Sequence, residues 1–384
     1  MKSPPRCASC WPESHDFFLS RPTPRSHRPP RLATARNTQL DGWRAFAVLG
    51  VIWLHWAPRE WRGDLPFEIG LFFFLTLTGF LITGGLLRDR ARGEATGRPW
   101  RKAALRDFFK RRATRILLPC YVAMLFAWLC GAPDLRDHPL PYLTHWVNFH
   151  IAMLPSWPSG TAHYWTLAIQ VQFYLLWPFI VHSIPKRALA WLFAAMVALA
   201  PLTRWLLLHH FPQVHHPGAI TSAAADYLGM GALLALAMER GMPAGDQRLA
   251  RAAGIAAIAY LALYSFEQTG HPLPGLRHFQ QSLVALAFAG LISATLRGIR
   301  GPLGRALEHP TVQHIGRLSY GLYLFHTPMP LALGFVLPFL WHPALDGPLL
   351  AIRLAVFGLA SWAAAWLCWR YLEQAPGRRT RQNR

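Results

Sequence analysis

Three ionisable residues, Asp41, Arg44 and His55, stand in the run LDGWRAFAVLGVIWLH (40–55), which is otherwise suited to hydrocarbon. Ionisable groups are costly in such a segment and mark substrate or proton paths when they occur. An imidazole titrates near neutral pH and suits general-base work, whereas a guanidinium suits anion binding. At 100° per residue, the eleven steps from Arg44 to His55 leave them about 20° apart around a helix and about 16 Å apart along it. Asp41 falls on the same side, where it orients Arg44 or caps the helix rather than reaching His55. One face of one helix thus carries a cation near its start and an imidazole near its end.

Other polar residues repeat at helical spacing. Arg112 and Arg115 are three apart in a basic and aromatic stretch (100–115), adjacent on a helix face. They suit either lipid headgroups on an interfacial helix or the phosphates of a ligand. His163, Thr166, Gln170 and Tyr174 form one stripe, and Ser319, Tyr323 and His326 another. Interhelical hydrogen bonding accounts for such stripes as readily as substrate contact does. Asp226 and Arg353 are isolated charges that could pair with each other or face a water-filled cavity.

The elements that must position these residues are membrane helices. Of the 384 residues, 53% are hydrophobic and only 15% charged, too little charge for a soluble chain of this length. The run 69–87 has no charge and is long enough to cross a bilayer. Further apolar runs at 45–57, 116–131, 162–184, 188–208, 218–237, 252–266, 279–296, 318–341 and 348–369 give about ten transmembrane helices in an all-α polytopic bundle. With both termini cytoplasmic, 32 of the 39 Lys and Arg fall in alternating inner segments and four in outer ones. That bias is the positive-inside pattern. It makes anionic membrane lipid, not nucleic acid, the partner of the +21 net charge.

Residues 1–36, rich in Pro, Arg and Ser, read as a disordered basic cytoplasmic tail ahead of a membrane domain at 37–376, with a second basic tail at 377–384. No metal site is expected. Cys7 and Cys10 form one CxxC without a second pair, and His209, His210, His215 and His216 lack an accompanying carboxylate or thiol. No internal repeat supports an inverted-repeat transporter.

Six segments in order resemble the acyltransferase 3 family of polytopic membrane O-acyltransferases: LDGWRAFAVLGVIWLH (40–55), GLFFFLTLTGFLI (70–82), FFKRRATRILLP (108–119), HYWTLAIQVQFYLLWP (163–178), LSYGLYLFHTP (318–328) and RYLEQAP (370–376). Phe72 stands where the family commonly has an acid, Thr78 where it has Ser, and Gln170 where it has Glu. The 40–82 stretch also resembles the branch that acetylates exopolysaccharides such as xanthan. The resemblance implies transfer of an acyl group, acetyl first, from a cytoplasmic acyl-CoA such as acetyl-CoA to a carbohydrate hydroxyl. The acceptor would be a cell-surface or exopolysaccharide glycan or its lipid-linked precursor, and the location the inner membrane of a bacterium.

In that scheme His55 is the general base or carries a transient acyl group, with Asp41 and Arg44 on the same helix. Arg112 and Arg115 hold the coenzyme A phosphates, and Gln170, His163, Tyr174 and His326 orient the acceptor. The competing function is a transporter or flippase of lipid-linked glycan using the same intramembrane charges; a third is a non-catalytic membrane scaffold.

Overall fold

The computed structural model describes residues 37–271, 273–338 and 347–374. Both tails, the Cys7/Cys10 pair and the end of the 318–341 run lie outside the described residues. Among the described residues every regular element is a helix, with no strand. Seven helical segments are long and apolar enough to cross a membrane, from Ile69–Thr96 to Gly347–Glu373. Three more helices of the sequence-predicted ten, Thr38–Trp56, Ala225–Glu239 and Pro310–Phe325, are shorter or more polar and pack among them. Trp191, Ile255, Ile258 and Leu359 project outward from helices that are mostly exposed. Such apolar surface is stable against lipid tails and costly against water.

Helix contacts follow from small residues. The Ile69–Thr96 and Ala225–Glu239 helices approach so closely that a Cβ on Gly231 would lie 2.1 Å from the Thr76 carbonyl oxygen. The Thr38–Trp56 helix is seated against Pro310–Phe325 in the same way, since a Cβ on Gly316 would fall 2.0 Å from the Asp41 carbonyl oxygen. Backbones this close gain dispersion contact that larger side chains would forbid. The second pairing matters for function because it aligns the helix that ends at His55 with the one that ends at His326.

Two departures from regular helix sit near the candidate site. Ala113–Leu117 is a π-turn joining Arg101–Arg112 to Leu118–Leu129. Pro119 has no N–H for the carbonyl four residues back, which favours a local change of hydrogen-bond register. A second π-turn, Trp369–Glu373, packs against the first. The apolar run beginning at Leu318 is also not one span. Its helix starts at Pro310 and stops at Phe325, and Pro328 opens a new one, Pro328–Val336. Pro328 and Pro330 have no N–H for the carbonyls of Leu324 and His326 four residues back, so the helical ladder is interrupted at His326–Thr327.

The isolated charges pair differently from the sequence expectation. Asp226 meets Arg204, not Arg353: Arg204 Nη2 lies 2.9 Å from Asp226 Oδ2, and Ser282 donates to the same oxygen at 2.6 Å. Arg204 also donates to the carbonyls of His278 and Ala223. Arg204 lies in an apolar helix twenty-two residues before Asp226, and only tertiary packing brings the two together.

Candidate active site

His55 occupies the last turn of its helix and projects into a cavity of about 890 Å³. Its Nδ1 lies 2.9 Å from the Val51 carbonyl oxygen, which can only accept. Nδ1 therefore carries the hydrogen, leaving Nε2 with its lone pair. His326 is fixed by the same logic. Its Nδ1 is 2.8 Å from the Tyr323 carbonyl oxygen, so its Nε2 is the acceptor and sits 3.3 Å from His55 Nδ1. The His55 N–H thus faces two acceptors, one carbonyl and one imidazole. Trp56 Nε1 donates to the His326 carbonyl at 2.9 Å and fastens the two helix ends.

A third imidazole completes the cluster. The His163 ring centroid lies 5.3 Å from that of His326, and its Nδ1 donates to Thr327 Oγ1 at 2.6 Å. Thr327 in turn donates to the Gly160 carbonyl at 2.9 Å. His163 Nε2 is buried without a partner. The Tyr323 hydroxyl bridges Thr166 Oγ1 at 2.5 Å and the His163 carbonyl at 3.0 Å. Tyr323, Thr166 and His163 thus join the two polar stripes near His55, while Ser319 Oγ is buried without a partner and Gln170 and Tyr174 lie apart from them.

A second, narrower cavity of about 220 Å³ lies beside the first; Leu71 and Tyr323 line both. Arg44, Arg112, Gln170 and Tyr174 line this second cavity. Arg44 is held by Asp41 at 3.0 Å, and Asn37, not Asp41, caps the helix by accepting from the Leu40 N–H. The Arg112 guanidinium lies 5.4 Å from the ring centroids of both Phe108 and Tyr174, and its Nε is buried without a hydrogen-bond partner. Gln170 Oε1 is 3.5 Å from the Tyr174 hydroxyl, too long to bind it firmly. Arg115 is exposed and does not line the cavity, because the π-turn after Arg112 rotates it away. The structure thus groups His55, His326 and His163 at one cavity and Arg44, Arg112, Gln170 and Tyr174 at the other, with Arg115 outside.

Several wall residues were not assigned to this site from the sequence. Glu68, Arg62, Trp157, His215 and His216 line the His55 cavity. Glu68 lies one helical turn before Phe72, hence on the same face and toward the cavity. Phe72 itself stacks on Tyr227 with centroids 4.5 Å apart, so an apolar pair occupies its position. Burial holds the Glu68 carboxyl above the usual carboxylate range. His216 stacks on Trp157 at 4.1 Å, drawing the His215–His216 pair into the cavity wall. The four-residue offset of Glu68 was available as a signal, but the histidine pair gave no periodic one.

The acyltransferase domain of the acyltransferase 3 family matches residues 37–370. The chain is similar to the peptidoglycan O-acetyltransferase OatA of Listeria monocytogenes, at 25% identity over 76% of this chain and 49% of that protein. It is similar to the putative peptidoglycan O-acetyltransferase YrhL of Bacillus subtilis at 28%, over 76% and 48% respectively. Similarity to the O-acetyltransferase OatA of Staphylococcus aureus is 31%, over 44% of this chain and 29% of that protein. The chain spans about half the length of the first two relatives. No solved structure matches. With the family match running through both cavities and nearly the whole membrane bundle, the chain belongs to the acyltransferase 3 family.

Proposed function

We propose that the protein is an integral membrane O-acyltransferase of a bacterial inner membrane. It moves an acyl group, acetyl first, from a cytoplasmic acyl-CoA to a hydroxyl of a cell-surface or exopolysaccharide glycan, or of its lipid-linked precursor. The observation that carries this is the placement of His55, with a free Nε2, in a wide cavity that meets a narrow arginine-lined one at Leu71 and Tyr323. Ligand pockets usually run from about 300 to 1,000 Å³. The His55 cavity has room for a sugar ring, while the Arg112 cavity suits a slim, flexible arm such as pantetheine. The Lys/Arg bias puts Arg44 and Arg112 on the cytoplasmic side.

The chemistry follows from the hydrogen positions. His55 Nε2 takes the proton of the acceptor hydroxyl as that oxygen attacks the thioester carbonyl. A C–O bond forms, the C–S bond breaks, and the departing thiolate receives the proton from His55. The imidazolium formed in between keeps its Nδ1–H on the Val51 carbonyl and His326 Nε2. His326 therefore orients His55 where a carboxylate would serve in other base-assisted sites. Arg112 and Arg44 attract the phosphates of the donor, with Arg115 contributing charge from the rim. Because two relatives are named for peptidoglycan, that glycan is to be tried alongside the exopolysaccharide suggested by the sequence resemblance.

The test is to incubate membranes carrying the full chain with labelled acetyl-CoA and each glycan in turn. Labelled glycan with the wild type and none with His55→Ala is the expected result. Label that persists in the variant would remove His55 from the mechanism, whereas glycan crossing the membrane without gaining label would favour the flippase alternative.

A further inference from the structure

Away from both cavities' walls, the 133–153 part of the connection 130–163 folds into three short helices that gather two imidazoles onto one carboxylate oxygen. Asp134 and His138 lie one turn apart, Asp134 within Pro133–Asp137 and His138 just after it. His150 comes from Val147–Met153. His150 Nε2 lies 3.0 Å from Asp134 Oδ1, and His138 Nδ1 lies 3.3 Å from the same oxygen. The two rings are 4.9 Å apart, and all three candidate donor atoms fall within 4.8 Å of one another. A tetrahedral zinc ion with bonds of about 2.0–2.1 Å needs donor atoms about 3.3 Å apart. Two of the three separations are already at or near that value.

The carboxylate is oriented from behind. The Tyr142 hydroxyl, fully buried, donates to Asp134 Oδ2 at 2.6 Å and lies 2.9 Å from Thr161 Oγ1. That leaves Oδ1 toward both imidazoles, with His150 Nε2 also 3.2 Å from Oδ2, an arrangement in which an outer hydrogen bond fixes a metal ligand. Arg136, the nearby cation, is turned away, with its guanidinium against Trp128 and the Trp128 and Leu129 carbonyls. His138 is half exposed, so ions have a way in and water can complete the coordination.

We propose that Asp134, His138 and His150 bind a divalent transition-metal ion, zinc first, which pins the 130–163 connection over the His55 cavity. Two nitrogens and one oxygen are a donor set that suits zinc and disfavours calcium or magnesium. The route to the cavity is short. Asp134 holds Tyr142, Tyr142 meets Thr161, and the neighbouring Gly160 carbonyl anchors Thr327 and through it His163. Trp157, Pro158 and Ser159 of the same connection form part of the cavity wall. None of this depends on the acyl-transfer proposal.

The experiment uses the full chain in detergent, stripped with a chelator and titrated with zinc sulfate against a chromophoric indicator. Bound zinc is counted by elemental analysis, and melting is followed with and without zinc. The wild type is expected to hold one equivalent more than His138→Ala, with affinity weakened about tenfold or more in Tyr142→Phe. Zinc should raise the melting temperature of the wild type and not of His138→Ala. His138 is half exposed, so its replacement leaves the packed interior intact. Cys7→Ser/Cys10→Ser and His209→Ala/His210→Ala should both keep the equivalent. Equal zinc counts in wild type and His138→Ala, or an equivalent that disappears with either control pair, would overturn the site.

Discussion

The two cavities differ in size, in lining and in what holds their functional groups. The His55 cavity, at about 890 Å³, is walled by imidazoles and aromatic rings from helix ends and from connections. The Arg112 cavity, at about 220 Å³, is lined by side chains from within helices, two of them arginines. Rings with fixed tautomers can aim a lone pair, and they need hydrogen-bond partners to do so. Guanidiniums need only reach an anion. In the proposed scheme chemistry falls where orientation is tightest and donor binding where charge alone suffices, with Leu71 and Tyr323 between them.

The sharpest way to break this division is His55→Ala. Loss of a general base costs about 10²–10⁴ in rate. Glycan labelling by membranes should fall by that order while the protein still inserts and melts as the wild type does. Next comes Arg112→Ala. A charge-assisted hydrogen bond contributes about 1.5–3 kcal/mol, which corresponds to about a 10–100-fold rise in donor KM. Acceptor KM should not move. Matching losses for donor and acceptor would mean that the cavities do not divide the substrates between them.

A smaller effect separates His55 from its support. His326→Phe keeps ring volume and removes the Nε2 acceptor, whereas His326→Gln keeps an acceptor atom. With a neutral hydrogen bond worth ~1 kcal/mol, kcat should fall about fivefold in the Phe variant and recover in the Gln variant. Both KM values should be unchanged. Steady-state kinetics with the same two substrates decides it; equal kcat in the two variants would make His326 a packing residue only.

How far the site was legible depended on whether its residues shared a helix. Arg44 and His55 could be placed on one face from spacing alone, and so could the 163–174 and 319–326 stripes, because helical periodicity is local. Their convergence was not legible, since it depends on Gly316 seating one helix against another and on the break at His326. Arg112 and Arg115 show where local spacing fails: the π-turn at 113–117 inserts extra backbone just past the first arginine and turns the second outward. Phe72 stands where the family commonly has an acid, while Glu68 enters the cavity one turn earlier. The helical class and most span positions followed from apolar runs. The 130–163 connection did not, because its short helices owe their arrangement to side chains such as Tyr142 and Asp134 meeting across sequence.

That connection covers the His55 cavity and not the Arg112 one, so loosening it should harm only the acceptor end. His145 offers a mild means of doing so. Both its ring nitrogens are buried without partners, and burial lowers its pKa to about 4. An unfolded chain takes up a proton on this ring near pH 6.5, whereas the folded one waits until about 4. Falling pH therefore favours the unfolded chain across that window, by at most ~1.4 kcal/mol per pH unit and by only a few tenths near pH 6.5. His145 also has φ of 55°, a left-handed conformation that Asn tolerates better than most residues. His145→Asn should thus flatten the loss of melting temperature between pH 7 and 5 in detergent. At pH 5.5 it should lower acceptor KM relative to wild type and leave donor KM unchanged. A variant as acid-sensitive as the wild type would show that His145 does not govern the closure of this cavity.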